Sequence, residues 1–415
     1  MAATPQTQPT HTPPHLLRVG VDRIDGDITS NRILPFHPDL SVWERVNSEL
    51  SDFENEHHRF WWRQHTGKAL AVLLQNAAYS QDLQYRDLKF FAQVVAPALG
   101  VSQGIAGSKD LQWPSFMTDD GTPLELSWDW GTKNSSPTIR YSIEPISVQA
   151  GTTQDLLNLE AGPLFKKKLT RAIPEARLEW YDHFEPFFNV HKDHQSHLLE
   201  DRTDHNTSVF YAFDLSPREV TAKVYFFPKI RGNLCNQPSL EVLSQAIQTA
   251  PYATQERLDA WNMFYDFATE AANKNLEHEM LAIDLIDPFE SRIKVYFRCR
   301  ETTFNSVINM MTLGHKIETP ELNQGLRDLA TLWTCLFGVD DLDQPLSGVD
   351  HRTAGILYNV EFKLGDKRPV AKIYLPVRHY ASSDAEIIRS LDGFFRCKQR
   401  HSYMPAYIRA MSTLL

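Results

Sequence analysis

An α+β fold, in which antiparallel hairpins curl into a barrel with helices packed outside, is what this 415-residue sequence predicts. Three observations carry that expectation. Helical and strand-like patterns recur in the order helix, helix, strand, strand at least four times. The strands come as hairpins with short connections, which favours antiparallel neighbours. Each strand also alternates apolar with polar residues, so that one face packs on helices while the other needs a different environment. Eight or more such strands can close on themselves with the polar parity inside.

Taken in order, the opening "MAATPQTQPTHTPPH" is rich in Pro, Thr and Gln and has no apolar stretch after a basic one. Residues 1–15 read as a disordered leader rather than a signal peptide, and 16–415 as a single domain, because no linker divides the remainder. Residues 41–98 carry helical periodicity that ends at Gly100. "TPLELSWDW" (122–130) and "PTIRYSIEPI" (137–146) read as strands about the turn "GTKNSS". Residues 152–190 return to helix. "TSVFYAFDL" (207–215) and "VTAKVYFFP" (220–228) form the next hairpin through "SPRE". Helices at 238–274 lead to "EMLAIDLI" (279–286) and "RIKVYFR" (292–298). Helices over 302–337 lead to "AGILYNVEF" (354–362) and "PVAKIYLPV" (369–377), and a last helix, "SDAEIIRSLDGFF", precedes "HSYMPAYIRAM".

Composition narrows the function classes. A hydrophobic content of 42% supports a sizeable core, while a net charge of -10 argues against a general nucleic-acid or anionic-membrane surface. Any cationic cluster must be local. The four cysteines show no CxxC spacing, which disfavours zinc ribbons and a disulfide framework and fits a reducing cytoplasm. The most apolar run, "KALAVLLQNAAY" at 68–79, is well short of the ~20 residues of a membrane span.

The second strands of successive hairpins carry related cores, "AKVYF", "IKVYF" and "AKIYL". Lys223, Lys294 and Lys372 lie 71 and 78 residues apart, the scale of a whole supersecondary unit. Each is followed two positions later by a tyrosine, Tyr225, Tyr296 or Tyr374. Lys and Tyr therefore share one face of each strand. On this parity a barrel interior would collect Arg140, Lys223, Arg292, Lys294 and Lys372. Enclosing them without anions would cost several kcal/mol per ion. An opposite charge at ~4 Å returns about 4 kcal/mol at an effective dielectric near 20. A diphosphate suits such a cluster, and tyrosines offer hydroxyls to its oxygens and π faces to a cation. The pattern points to an ionisation in which diphosphate leaves and an allylic carbocation is held by the rings away from water. The plainer reading is ordinary strand residues whose lysines reach solvent, and three in register weigh against it.

Glu125, in "PLELSW", has the opposite parity to Leu124, Leu126, Trp128 and Trp130, which puts it on the same interior face. A carboxylate there can accept a hydrogen bond from an acceptor N–H or O–H and help remove a proton. Pairing with Arg140 on the adjoining strand is the plainer alternative.

Together "PLELSW", "TAKVYFFP", "RIKVYF", "VAKIYLPVRHY" and "HSYMPAYI" resemble the fungal indole prenyltransferases of the dimethylallyltryptophan synthase type, from about residue 40 onward. The resemblance implies an αββα prenyltransferase barrel of about ten antiparallel strands around a solvent-filled lumen, with the fifth pair near the C-terminus. By motif position it implies that Glu125 accepts the indole N–H and that Arg140, Lys223, Arg292, Lys294 and Lys372 bind diphosphate. Tyr225, Tyr296, Tyr374, Tyr403 and Tyr407 would shield the dimethylallyl cation. It also implies dimethylallyl diphosphate as donor, an aromatic small-molecule acceptor, a role in alkaloid secondary metabolism, and no required cofactor or Mg2+. The sequence lacks an aspartate-rich DDxxD motif, and "DDLD" (340–343) reads as a solvated loop. The oligomeric state is not fixed, and a homodimer is compatible with the sequence.

Members taking free tryptophan would carry an arginine near the start of "EMLAIDLI" and a tyrosine four residues beyond the first repeat lysine. Glu279 and Phe227 stand there instead. A neutral acceptor is therefore favoured, such as a tryptophan-containing cyclic dipeptide or another indole alkaloid. Free tryptophan, or a phenolic or polyketide aromatic, is the alternative within the same chemistry. A non-catalytic carrier of a phosphorylated ligand is the alternative outside it. His191, His194 and His197 in "HKDHQSH" have helical spacing but no second cluster to complete a metal site. "KKK" at 166–168 reads as a solvated helix face, and Trp61 and Trp62 as helix packing.

Overall fold

The computed structural model describes residues 41–50, 53–106, 113–131, 137–189 and 205–414. The leader, most of the "GTKNSS" turn and the three histidines of "HKDHQSH" lie outside the described residues. All eight strands expected from the alternation form. They are β1 (Leu124–Asp129), β2 (Thr138–Ile143), β3 (Val209–Leu215), β4 (Val220–Phe226), β5 (Glu277–Asp284), β6 (Ile293–Cys299), β7 (Ile356–Phe362) and β8 (Val370–Tyr374). Each pairs antiparallel with the next in sequence, giving one sheet in the order β1 to β8.

The apolar parity of every strand faces helices. Phe213 meets Phe165, Phe226 meets Phe188, Phe297 meets Phe264 and Phe362 meets Trp261. These residues belong to a single hydrophobic cluster that includes Ile293, Val295 and Val360, all fully buried. Burying each such side chain stabilises by about 1.5–3 kcal/mol, so this layer holds the curled sheet against its helices. Trp61 and Trp62 are part of it, as expected. Helix starts are fixed by side chains: Ser80, Thr303, Thr319 and Ser383 each accept a hydrogen bond from an N–H three residues on. None of the described helices is long and apolar enough to cross a membrane.

Two expectations are corrected. Residues 152–160 are not helical; helices occupy Ala161–Ala172 and Glu179–Phe188. The Asp155 carboxylate accepts from Ser147 Oγ and the Leu159 N–H and so ties this stretch into turns. Among the described residues no fifth strand pair forms, so the described sheet has eight strands and not ten. "HSYMPAYIRAM" instead makes a 3-10 turn, His401–Tyr403, and a helix, Met404–Leu414. Tyr407, Ala410, Met411 and Leu414 recur at helical spacing and pack on the core, which selects helix over strand. Among the described residues β1 and β8 are thus paired on one side only.

Gly355 begins β7 with φ of +84°, and a Cβ there would lie 2.6 Å from the Cys299 carbonyl oxygen. Its N–H donates to Tyr380 Oη at 2.7 Å. Gly355→Ala is expected to lower unfolding free energy by about 1–3 kcal/mol, read from urea titration, because both backbone angle and space are violated.

Candidate active site

The strand alternation that sends apolar residues to the helices sends Lys and Tyr to the other face, and the curl of the sheet gathers them. Tyr225 of β4, Tyr296 of β6 and Tyr374 of β8 form a row with ring centroids 5.8 Å apart in each step. The intervening strands carry small residues at these levels: Ala282 of β5 is opposite Tyr225, and Asn359 of β7 is opposite Tyr296. That leaves room for the rings. Asn359 Nδ2 donates to Tyr374 Oη at 3.1 Å. Burial raises the pKa of all three phenols, so they remain neutral.

One level along the strands, the five predicted cations are brought into one row. Lys294 Nζ donates to Asp284 at 2.7 Å, and Arg292 Nε to the same carboxylate at 2.9 Å. Arg292 also reaches Glu361 at 3.4 Å, and Lys372 donates to Glu361 at 2.8 Å. Lys223 donates to Asp214 at 2.5 Å, and Arg140 pairs with Asp129 at 2.6 Å and Asp214 at 3.3 Å. Lys223 and Lys294 are buried, which rules out solvated lysines at those two positions, whereas Lys372 is 45% exposed. Asp129, Asp214, Asp284 and Glu361 supply anionic partners to these cations from within the protein. Burial lowers the Lys294 pKa to about 8, with Asp284 acting against that fall and Lys223 and Arg292 adding to it. Burial alone would raise the Asp284 carboxyl, but Lys294 and Arg292 outweigh it and hold it well below the usual carboxylate range.

Glu125 sits on β1 opposite Ser142, with its side chain open to water yet enclosed by protein, and that enclosure raises its pKa. The plainer Glu125–Arg140 pair does not form, because Arg140 is held by Asp129 and Asp214. The opposing charge nearest Glu125 is Arg378, itself engaged by Asp119 and Thr353 Oγ1. Glu125 also acts electrostatically on Tyr374.

Tyr407 does not join the tyrosine row. Its ring packs on Trp128 and Trp130, which have the helix-facing parity of β1. Tyr403 ends the 3-10 turn and is half-buried. Glu279 lies at a bulge between His278 and Met280 and accepts from Arg298 Nε at 2.6 Å. Arg298, on the same polar parity of β6 as Arg292 and Lys294, is buried and stands outside the predicted diphosphate set. Phe227 packs among Phe116, His205 and Phe210. At this end of the strands, opposite to the Asp284 row, a cavity of about 620 Å³ is lined by Phe116, His205, Glu277, Glu279, Arg300 and Thr353. Another carboxylate not foreseen, Glu144, accepts from Trp113 Nε1, Ser115 Oγ and Thr207 Oγ1, while burial pushes its pKa up to about 7. "DDLD" is an exposed loop, and Lys166 and Lys168 pair with surface acids, as their plainer readings expect.

This architecture is that of a prenyltransferase. The crystal structure of the NotF prenyltransferase matches it with a TM-score of 0.76 at 24% identity, covering 89% of each chain. The profile of the family described as tryptophan dimethylallyltransferase matches residues 57–410. The chain belongs to that family, and so to enzymes that transfer prenyl groups. It is 34% identical over 358 residues to 4-O-dimethylallyl-L-tyrosine synthase of Claviceps purpurea, covering 85% of this chain and 79% of that one. It is 32% identical over 373 residues to 7-dimethylallyltryptophan synthase of Aspergillus fumigatus, with coverages of 86% and 77%.

Proposed function

We propose that the protein transfers a dimethylallyl group from dimethylallyl diphosphate to an aromatic ring, indole in the first place, by electrophilic substitution in the cytosol. The observation that carries this is the convergence, on one face of the sheet, of a cation row, a tyrosine row two residues further along, and Glu125. In this reading that face lines a solvent-filled lumen. The names of the relatives, which specify dimethylallyl transfer to tyrosine and to tryptophan, support donor and acceptor class.

Arg140, Lys223, Arg292, Lys294 and Lys372 would bind the diphosphate and stabilise the charge it gains as the C–O bond breaks, with the electron pair leaving on oxygen. The faces of Tyr225, Tyr296 and Tyr374 would hold the allylic cation and exclude water. Glu125 would accept the indole N–H, enrich the ring as its carbon attacks, and assist the later loss of a proton. Side-chain cations carry the neutralising charge, so we expect turnover to persist when EDTA is added and divalent ions are omitted. Abolition of activity by the chelator, restored by Mg2+, would reject that part.

Glu279 and Phe227 favour a neutral indole acceptor such as a tryptophan-containing cyclic dipeptide. A second reading, a free amino acid, is favoured by Arg298, whose ion pair with Glu279 complements a zwitterion. Mass spectrometry and NMR of products from a panel of cyclic dipeptides, L-tryptophan, L-tyrosine and simple phenols separate them.

Glu125→Ala is expected to reduce turnover ~10²–10⁴-fold with an indole acceptor, the range for a positioned acid or base. Wild-type turnover would remove its role. Lys294→Ala should weaken donor binding through loss of a charge-assisted contact, seen as a raised KM for dimethylallyl diphosphate and weaker pyrophosphate binding by calorimetry.

A further inference from the structure

We propose that Asp284 is a positioning residue for the diphosphate site, holding Lys294 and Arg292 in the place and charge state in which they meet the donor. This rests on the functional reading above and adds to it a residue that does not itself touch the substrate.

The argument begins with a repeat of ion pairs. Each of the four hairpins carries an acid on its first strand and a base on its second: Asp129 with Arg140, Asp214 with Lys223, Asp284 with Lys294, and Glu361 with Lys372. The geometry is the same each time. Arg140 is opposite Ser127, Lys223 opposite Ala212, Lys294 opposite Ala282 and Lys372 opposite Asn359, and in every case the acid lies two residues beyond that partner. The small side chain opposite the base lets it lean diagonally to the acid. Each of these four pairs is thereby neutral. Arg292 is the cation beyond the repeat, and it shares Asp284 with Lys294.

Asp284 is also the most enclosed of the four acids, its side chain 4% exposed against 12–37% for the others. The charges facing it come from every strand around it. Lys223 of β4 is its direct register partner, and Lys294 and Arg292 come from the β6 side. Asp214 of β3, Arg140 of β2, Glu361 of β7 and Lys372 of β8 continue the row. Two opposing effects then compete. A fixed carboxylate beside the diphosphate repels it. Yet the same carboxylate offsets what burial, Lys223 and Arg292 do to the Lys294 ammonium, which loses its proton near pH 8 even with Asp284 present. Without Asp284 that proton is lost at lower pH, and a neutral amine gives the donor no charge. The contacts at 2.7 and 2.9 Å to two cations outweigh the repulsion of a more distant anion.

The test is the pH profile of donor KM in Asp284→Asn, with calorimetry of inorganic pyrophosphate as a readout free of chemistry. Wild-type affinity should fall as pH rises through about 8, where Lys294 discharges. In the variant the fall should occur at least about one unit lower, making KM at least about threefold higher at pH 7.5 and converging on wild type toward pH 6. At saturating donor kcat should change less than KM. Asp284→Glu should restore most of the profile, and thermal unfolding reports whether Asp284→Asn is folded. If it is not, Asp284→Glu carries the test, with a smaller shift in the same direction. Tighter donor binding in Asp284→Asn, or a profile parallel to wild type, overturns the proposal. Lys294→Ala distinguishes the two levels: unchanged pyrophosphate affinity there defeats the functional reading itself, whereas weakened affinity with an unshifted Asp284→Asn profile defeats this inference alone.

Discussion

The controlling constraint is the desolvation of charge on the inner face of a curled sheet. Strand alternation must put half of each strand somewhere, and here the apolar half is taken by the helices. The remaining half forms the inner face of the curl, where Lys223 and Lys294 are buried and would carry a penalty of several kcal/mol each unless paired, whereas Lys372 keeps access to water. The chain meets this locally. Each hairpin brings its own acid and base together across its two strands, so each of these pairs is satisfied within one hairpin. Long-range assembly then adds only the cross-hairpin contacts, Arg140 to Asp214 and Arg292 to Glu361.

That arrangement changes what the cation row can do. Five cations stand against four carboxylates, so the row is nearly neutral rather than a strong positive field. A diphosphate would gain little from net attraction. It would gain from direction, because the carboxylates fix where the N–H donors point, and prepaid orientation makes such contacts effective in a poorly hydrated space. In the proposed reading, near neutrality would also limit how firmly a product diphosphate is retained after the bond breaks.

Much of the fold was legible in the sequence, for reasons that can be named residue by residue. "RIKVYFR" alternates without exception, and β6 runs Ile293–Cys299. The lysine-tyrosine repeat exposes the shared face because its period is that of a hairpin with its helices. The acids repeat too: Asp214, Asp284 and Glu361 lie 70 and 77 residues apart, each one residue off the lysine period. They stay hidden while strands are read singly, since an acid at a polar position looks ordinary until the hairpin becomes the unit. Arg298 is hidden similarly, as its meaning depends on the bulge that turns Glu279 toward it. The C-terminal strand pair was expected from resemblance and not from alternation. The apolar positions of "MPAYIRAMSTLL" follow a helical period, and the helix they form carries Tyr407 to the other side of β1.

The spacing within "AKVYF", "IKVYF" and "AKIYL" closes the physical argument. Two residues along a strand span about 7 Å, so each tyrosine ring lies that far from its lysine on the same face. A prenyl diphosphate is polar at one end and a short hydrocarbon at the other, with a comparable distance between the charged group and the middle of the chain. Repeating K-x-Y on alternate strands therefore builds two parallel levels, one for anion and one for hydrocarbon, without any strand needing a specialised loop. Ala282 and Asn359 on the intervening strands make the levels continuous by leaving the rings space to meet. Glu125, on the inner parity of β1, acts on Tyr374 and has no ion pair among the described residues, which in the proposed reading leaves its carboxylate for an acceptor ring.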